Sequence, residues 1–175
     1  MTIRTASRNK TRSSTCKSFL EEIQIDAAPN PEPLGISTES RCNYFLIFCD
    51  WYSRIFRITS LQDKSSKECA RGIEQILSKI THSTYTPKDI TYIRSDAGTE
   101  FRSAEFNDWC LENSIVFTTA APKHQHQNGL VKRHWGIVLH IANTMILHAR
   151  LSSKFIMYAI KYAQYIHDII PVKDL

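Results

Sequence analysis

Residues 43–61 read NYFLIFCDWYSRIFRITSL, two apolar runs on either side of DWYS. The first, Asn43–Cys49, is rich in aromatic and branched side chains and carries no charge, which suits a buried strand. Asp50–Ser53 forms a turn, and Arg54–Leu61 alternates apolar with polar residues as the second strand of a hairpin. Upstream, Phe19–Asp26 (FLEEIQID) alternates in part and gives a first strand that ends at Asp26, before the Pro-rich loop AAPNPEP. Downstream, Ala70, Ile73, Ile76, Leu77 and Ile80 recur at helical spacing within Lys64–Ile80. TPK (86–88) breaks that helix, Asp89–Ser95 is a strand, and DAG (96–98) is a turn. Ser103–Asn113 reads as a helix, Ile115–Ala120 as a strand, and APKHQHQ (121–127) as a polar loop.

A long helix follows from Gly129 to about Ala149, with an apolar stripe at Val131, Trp135, Val138, Ala142, Met145 and Ala149. Gly136 inside it costs roughly 1 kcal/mol relative to alanine. A last helix covers about Ser153–Ile169, ahead of Pro171. The order β-β-β-α-β-α-β-α-α joins its early strands by a hairpin and alternates its later strands with helices. It predicts an α/β domain, a mixed five-stranded sheet with helices on both faces.

The net charge of +5 is concentrated at one end. Residues 1–17 hold Arg4, Arg8, Lys10, Arg12 and Lys17 and no acid, whereas residues 18–175 hold 17 basic and 17 acidic residues, which cancel. The expectation is a basic disordered tail over 1–17 and a folded domain over 18–175, the tail either contacting phosphate or simply solvated. No run approaches the length of a membrane span, and the start of the chain lacks the apolar segment of a secretory signal. The five cysteines are odd in number and form no C-x-x-C, as in a reduced intracellular protein, nuclear or cytoplasmic. His124 and His126 make an H-x-H, by itself a weak metal signal.

Three positions attract chemical interest. Asp26 closes the first strand, Asp96 follows the fourth, and Lys132 lies in the first turn of the long helix. Carboxylates at the ends of neighbouring strands can share divalent metal, because Mg²⁺ needs only one or two of them beside water and phosphate oxygens. Paired metals hold the attacking and leaving oxygens of an in-line phosphoryl displacement.

At these segments the chain resembles the integrase catalytic core of copia-type LTR retrotransposons, relatives of retroviral integrases, over about residues 19–175. NYFLIFCDWYSR (43–54) looks like the family's D-x-Y-S-R hairpin, and IRSDAGTEF (93–101) like its R-S-D-x-G-x-E-F segment. APKHQHQNGLVKR (121–133) looks like A-P-x-x-x-x-Q-N-G-x-x-E-R, and the end of the chain, from LHARLSSKF onward, resembles the closing helical segment. The resemblance implies an RNase H-like fold and DNA integration by metal-dependent polynucleotidyl transfer. It also implies Mg²⁺ or Mn²⁺ as cofactor, DNA as partner, and a homodimer, as retroviral relatives dimerise through this core; membrane and small-molecule partners are not implied.

Family members use Asp, Asp and Glu, with thirty-five residues between the last two. The second Asp maps to Asp96; the interval 97–131 holds 35 residues, so the third position falls on Lys132. For the first Asp the motif offers Asp50 and the preceding strand offers Asp26. The family places its first ligand before the hairpin, so Asp26 is chosen and Asp50 is read as a turn cap. The resemblance sets Asn128 and Gly129 near DNA, although N-G is also an ordinary turn and helix-start signal; Lys123, Lys132 and Arg133 either touch phosphate or form a solvated basic cluster. Arg54 is read as fixing the turn, Trp135 as core, and Trp51, where the family often has Asp, has no assigned role.

An ammonium has no lone pair and cannot ligate a metal. Lys132 is therefore expected to pair with Asp26 or Asp96, occupy metal space, and remove both tight Mg²⁺ binding and strand transfer; Glu100 lies on another element and is a poor substitute. The alternative to an impaired integrase is a non-catalytic remnant of a retrotransposon polyprotein that binds nucleic acid or protein.

Overall fold

The computed structural model describes residues 16–31, 42–80, 85–96, 98, 101–119 and 129–169. Strand β1 (Glu22–Pro29) pairs antiparallel with β2 (Tyr44–Asp50), which pairs antiparallel with β3 (Phe56–Leu61). On its other side β1 pairs parallel with β4 (Tyr92–Ser95), and β4 pairs parallel with β5 (Val116–Thr119). The five-stranded mixed sheet thus runs β3-β2-β1-β4-β5. Helices α1 (Ser66–Lys79) and α2 (Ala104–Glu112) cover one face; α3 (Gly129–His148) and α4 (Ile156–Ile169) cover the other. The expected tail falls largely on residues 1–15, outside the described residues.

Strand alternation divides the core in two. Ile23, Ile25, Ala27, Leu46 and Phe48 point into the α1/α2 core, while Ala28, Phe45, Ile47 and Cys49 point into the α3/α4 core. The same alternation puts the Asp26 side chain on the α3 face. Asp26 does not end the strand, as expected from the sequence: β1 continues to Pro29, because Ala27, Ala28 and Pro29 pair with Leu46, Phe45 and Tyr44. Alanine and proline are weak strand formers, and here the β2 ladder overrides propensity.

Each early helix starts at a serine that fulfils its capping role. Ser65 Oγ accepts from Glu68 N, and Ser103 Oγ accepts from Phe106 N at 3.1 Å. Helix α1 lies close on the sheet at Gly72, where a Cβ would stand 2.8 Å from Leu46 Cδ2. On α3 the buried stripe is Val131, Val138, Ala142 and Ile146. Ile146 is the last buried residue of this stripe, and Ala149, expected to belong to it, lies past the helix end at His148 and is exposed. Trp135 is half-buried against Phe45, ring centroids 5.5 Å apart, in agreement with a core role.

Helix α4 also closes the β3 edge. Ile58 N on that edge donates to Gln164 Oε1 at 3.1 Å, and Arg57 pairs with Asp168. Such cover blunts an edge strand that would otherwise offer its amides to another chain. His134 of α3 and His167 of α4 meet at 2.7 Å, the first stacked on Phe56 and the second tilted against it.

Candidate active site

Three chain segments converge at the start of α3. Asp26 lies within β1, half-buried, and its Oδ1 accepts from Ala27 N at 2.9 Å. Asp96 follows β4, and its Oδ1 accepts from Gly98 N at 3.1 Å, which orients the carboxyl in the turn. Lys132 stands in the first turn of α3 and sends Nζ to Asp96 Oδ2 at 2.9 Å. Expectation and geometry agree that the lysine faces the acids, and Asp96 is its hydrogen-bond partner.

The electrostatics confirm that both acids act on the lysine. Its pKa is raised above the ordinary value chiefly by the hydrogen bond to Asp96; partial burial opposes this, and the charges of Asp26 and Asp96 add to it. The lysine is therefore a fixed cation at neutral pH. A carboxylate beside a helix N-terminus is favoured and a cation there is disfavoured by a few tenths of a kcal/mol, so Asp96 supports the start of α3 and compensates for Lys132.

Asp50 is fully buried, and its carboxyl is consumed by the fold. Its Oδ1 accepts from Leu20 N at 2.8 Å; its Oδ2 accepts from Ser53 N at 2.6 Å and Ser53 Oγ at 2.8 Å. It ties the start of the domain to the β2–β3 turn. The adjacent Arg54 holds a left-handed φ of 63°, with its guanidinium 4.7 Å over the Trp51 ring, which gives Trp51 the turn-fixing role that its sequence did not suggest.

Gly129 opens α3 with no atom within 4 Å of the position a Cβ would take, and Arg133 is exposed beside Lys132. Lys123, Asn128 and Glu100, together with His124 and His126, lie outside the described residues. Among the described residues no cluster of three or more His, Cys, Asp or Glu side chains could hold a metal ion. Of the two acids at this site, Asp96 carries Lys132 Nζ. A cavity of about 630 Å³ opens between α1 and α2, on the face opposite these three residues. Among the described residues no helix is long and apolar enough to cross a membrane.

No protein-family model matches the chain. It is 26% identical over 137 residues to the Retrovirus-related Pol polyprotein from transposon TNT 1-94 of Nicotiana tabacum, a match that covers 77% of this chain and 10% of that polyprotein. The chain thus spans about a tenth of the length of the curated relative. In fold it is similar to a chain of the simian T-cell lymphotropic virus intasome, with a TM-score of 0.66 at 18% identity over 89% of this chain and 50% of that one. The HTLV-2 integrase catalytic core domain in complex with magnesium superposes with a TM-score of 0.61 at 20% identity, covering 89% of each chain. The BIV integrase catalytic core domain gives 0.62 at 14% identity, over 89% of this chain and 88% of that one. The fold is similar to that of the retroviral integrase catalytic cores.

Proposed function

We propose that the chain is the integrase core of a copia-type retrotransposon polyprotein, built for polynucleotidyl transfer on DNA and disabled at its metal site by Lys132. The observation that carries this is the 2.9 Å contact between Lys132 Nζ and Asp96 Oδ2. In the reading adopted, Asp26 and Asp96 are the two retained ligands and Lys132 occupies the place of the third. The solved HTLV-2 core is described in complex with magnesium, which supports a divalent ion as the ancestral cofactor. Replacing a carboxylate by an ammonium changes the local charge by two units and leaves the acids pairing with a protein cation instead. DNA is the partner proposed from the intasome likeness, with Arg133 and Lys123 on phosphate; self-association is proposed from the dimeric and trimeric HTLV-2 forms.

The test is an end-joining assay on labelled duplex DNA with Mg²⁺ or Mn²⁺. The native chain is expected to join no ends, and Lys132→Glu to gain joining that depends on Asp26 and Asp96. Joining by the native chain would overturn the disabled-site reading.

A further inference from the structure

None of the 17 acidic residues lies between 113 and 167, so α3 carries no acid of its own. Its start instead presents Lys132 and Arg133, both exposed. The Lys132 ammonium has three N–H donors and is a fixed cation at neutral pH. Among the described residues Asp96 is its hydrogen-bond partner, at 2.9 Å, and the lysine side chain is 48% exposed. One donor is thus anchored, and two remain for a group arriving from solvent. The two carboxylates and the ammonium together carry −1, where a third acid would make the set −3, and Arg133 brings the sum to zero. A metal-free set of three acids repels a phosphate, whereas this set has no net charge with which to do so. A phosphate touching Lys132 lies well inside the screening length of about 8 Å, so the two-unit difference is felt there.

We propose that Lys132 makes this site a metal-independent grip on the DNA backbone. Held by Asp96, the ammonium donates to a backbone phosphate oxygen, a contact that positions the duplex and reads no sequence. The ion pair to Asp96 already restrains the lysine, so less side-chain freedom is lost when the phosphate arrives. The inference rests on the integrase reading above, which puts DNA at Asp26 and Asp96, and adds that the chain holds DNA whose ends it does not join. The competing role for Lys132 is to neutralise Asp96 and touch nothing else. In that case two uncharged groups at 96 and 132 would serve as well as the ion pair.

The measurement is fluorescence anisotropy of a short labelled DNA duplex over a range of salt, in EDTA and again in Mg²⁺. The native chain is expected to bind in EDTA, and Mg²⁺, itself a competing counterion, does not strengthen the binding. Lys132→Gln weakens binding in EDTA about tenfold. It also lowers the slope of log affinity against log salt by about 0.9, one phosphate contact. Lys132→Gln combined with Asp96→Asn restores the summed charge of the native pair but not the donor. This double variant keeps the lowered slope and binds at least about threefold more weakly than the native chain. Far-ultraviolet circular dichroism confirms that the variants fold. Native affinity and slope in the folded double variant would overturn the proposal, since charge balance alone would then explain Lys132. So would native binding that Mg²⁺ strengthens at least about tenfold, or no binding in EDTA. End joining by the native chain sinks the disabled-site reading, whereas a native-like double variant sinks this inference alone.

Discussion

Lys132 in the first turn of α3 and Asp96 beyond β4, separated by 36 positions in sequence, form a 2.9 Å ion pair within the field of Asp26. The lysine side chain is 48% exposed and the aspartate 32% exposed, so water and salt screen much of the attraction. Such pairs contribute roughly 0–1 kcal/mol. Lys132→Gln is therefore expected to shift unfolding by less than about 1 kcal/mol in urea titration. The substitution at 132 alters chemistry and spares the fold.

Asp50 is the contrasting carboxylate. It is buried and accepts three hydrogen bonds, from Leu20 N, Ser53 N and Ser53 Oγ. Asp50→Ala leaves those donors without their acceptor, each at a cost of about 1–3 kcal/mol where water cannot enter. The expected loss is at least about 3 kcal/mol in chemical denaturation. A loss no larger than that of Lys132→Gln would contradict its structural role.

Two glycines respond oppositely to alanine. Gly136 on exposed α3 has nothing within 4 Å of the place an added methyl group would take, so Gly136→Ala is expected to stabilise by roughly 0.5–1 kcal/mol through helix propensity. At Gly72 the added carbon meets Leu46 at 2.8 Å, Leu61 at 3.0 Å and Thr59 at 3.2 Å. Overpacking there costs about 1–3 kcal/mol and outweighs the helical gain, so Gly72→Ala lowers stability. Thermal melts of the two variants should move in opposite directions.

The His134–His167 contact predicts a pH dependence. Burial first, then His167, Arg54 and Arg133, push the His134 imidazole down to about 4. The unfolded chain takes up this proton near 6.5 while the fold resists it, so the contribution is complete above about 6.5 and is lost as pH falls toward 4. With the ring half-buried, the loss is on the order of 2 kcal/mol. Urea midpoints measured from pH 7.5 to 4.5 should fall, and His134→Gln should flatten that part of the profile.

Much of the fold was legible because period and punctuation agree along the chain. The hairpin at 43–61, the helical spacing of Ala70 to Ile80, and the polar gap before Gly129 each mark an element that the structure contains. The extension of β1 past Asp26 was not legible, since Ala27–Pro29 becomes strand only by pairing with Leu46–Tyr44. The lysine's choice of Asp96 over Asp26, the His134–His167 contact and the Gln164 cover on β3 join residues far apart in sequence. Periodicity carries no record of such partners. Asp50 was read as a turn cap from the resemblance, and the donors around its carboxyl agree with that reading, but its tie to Leu20 N at the start of the domain was not legible.

Calorimetric titration of Mn²⁺ into the native chain and into Lys132→Glu tests whether Lys132 keeps metal from Asp26 and Asp96. The native chain is expected to show no saturable binding tighter than about millimolar, and the variant to bind at least about 100-fold tighter. Micromolar binding by the native chain, lost in Asp26→Asn or Asp96→Asn, would show that the acids hold a metal beside Lys132 and would contradict it.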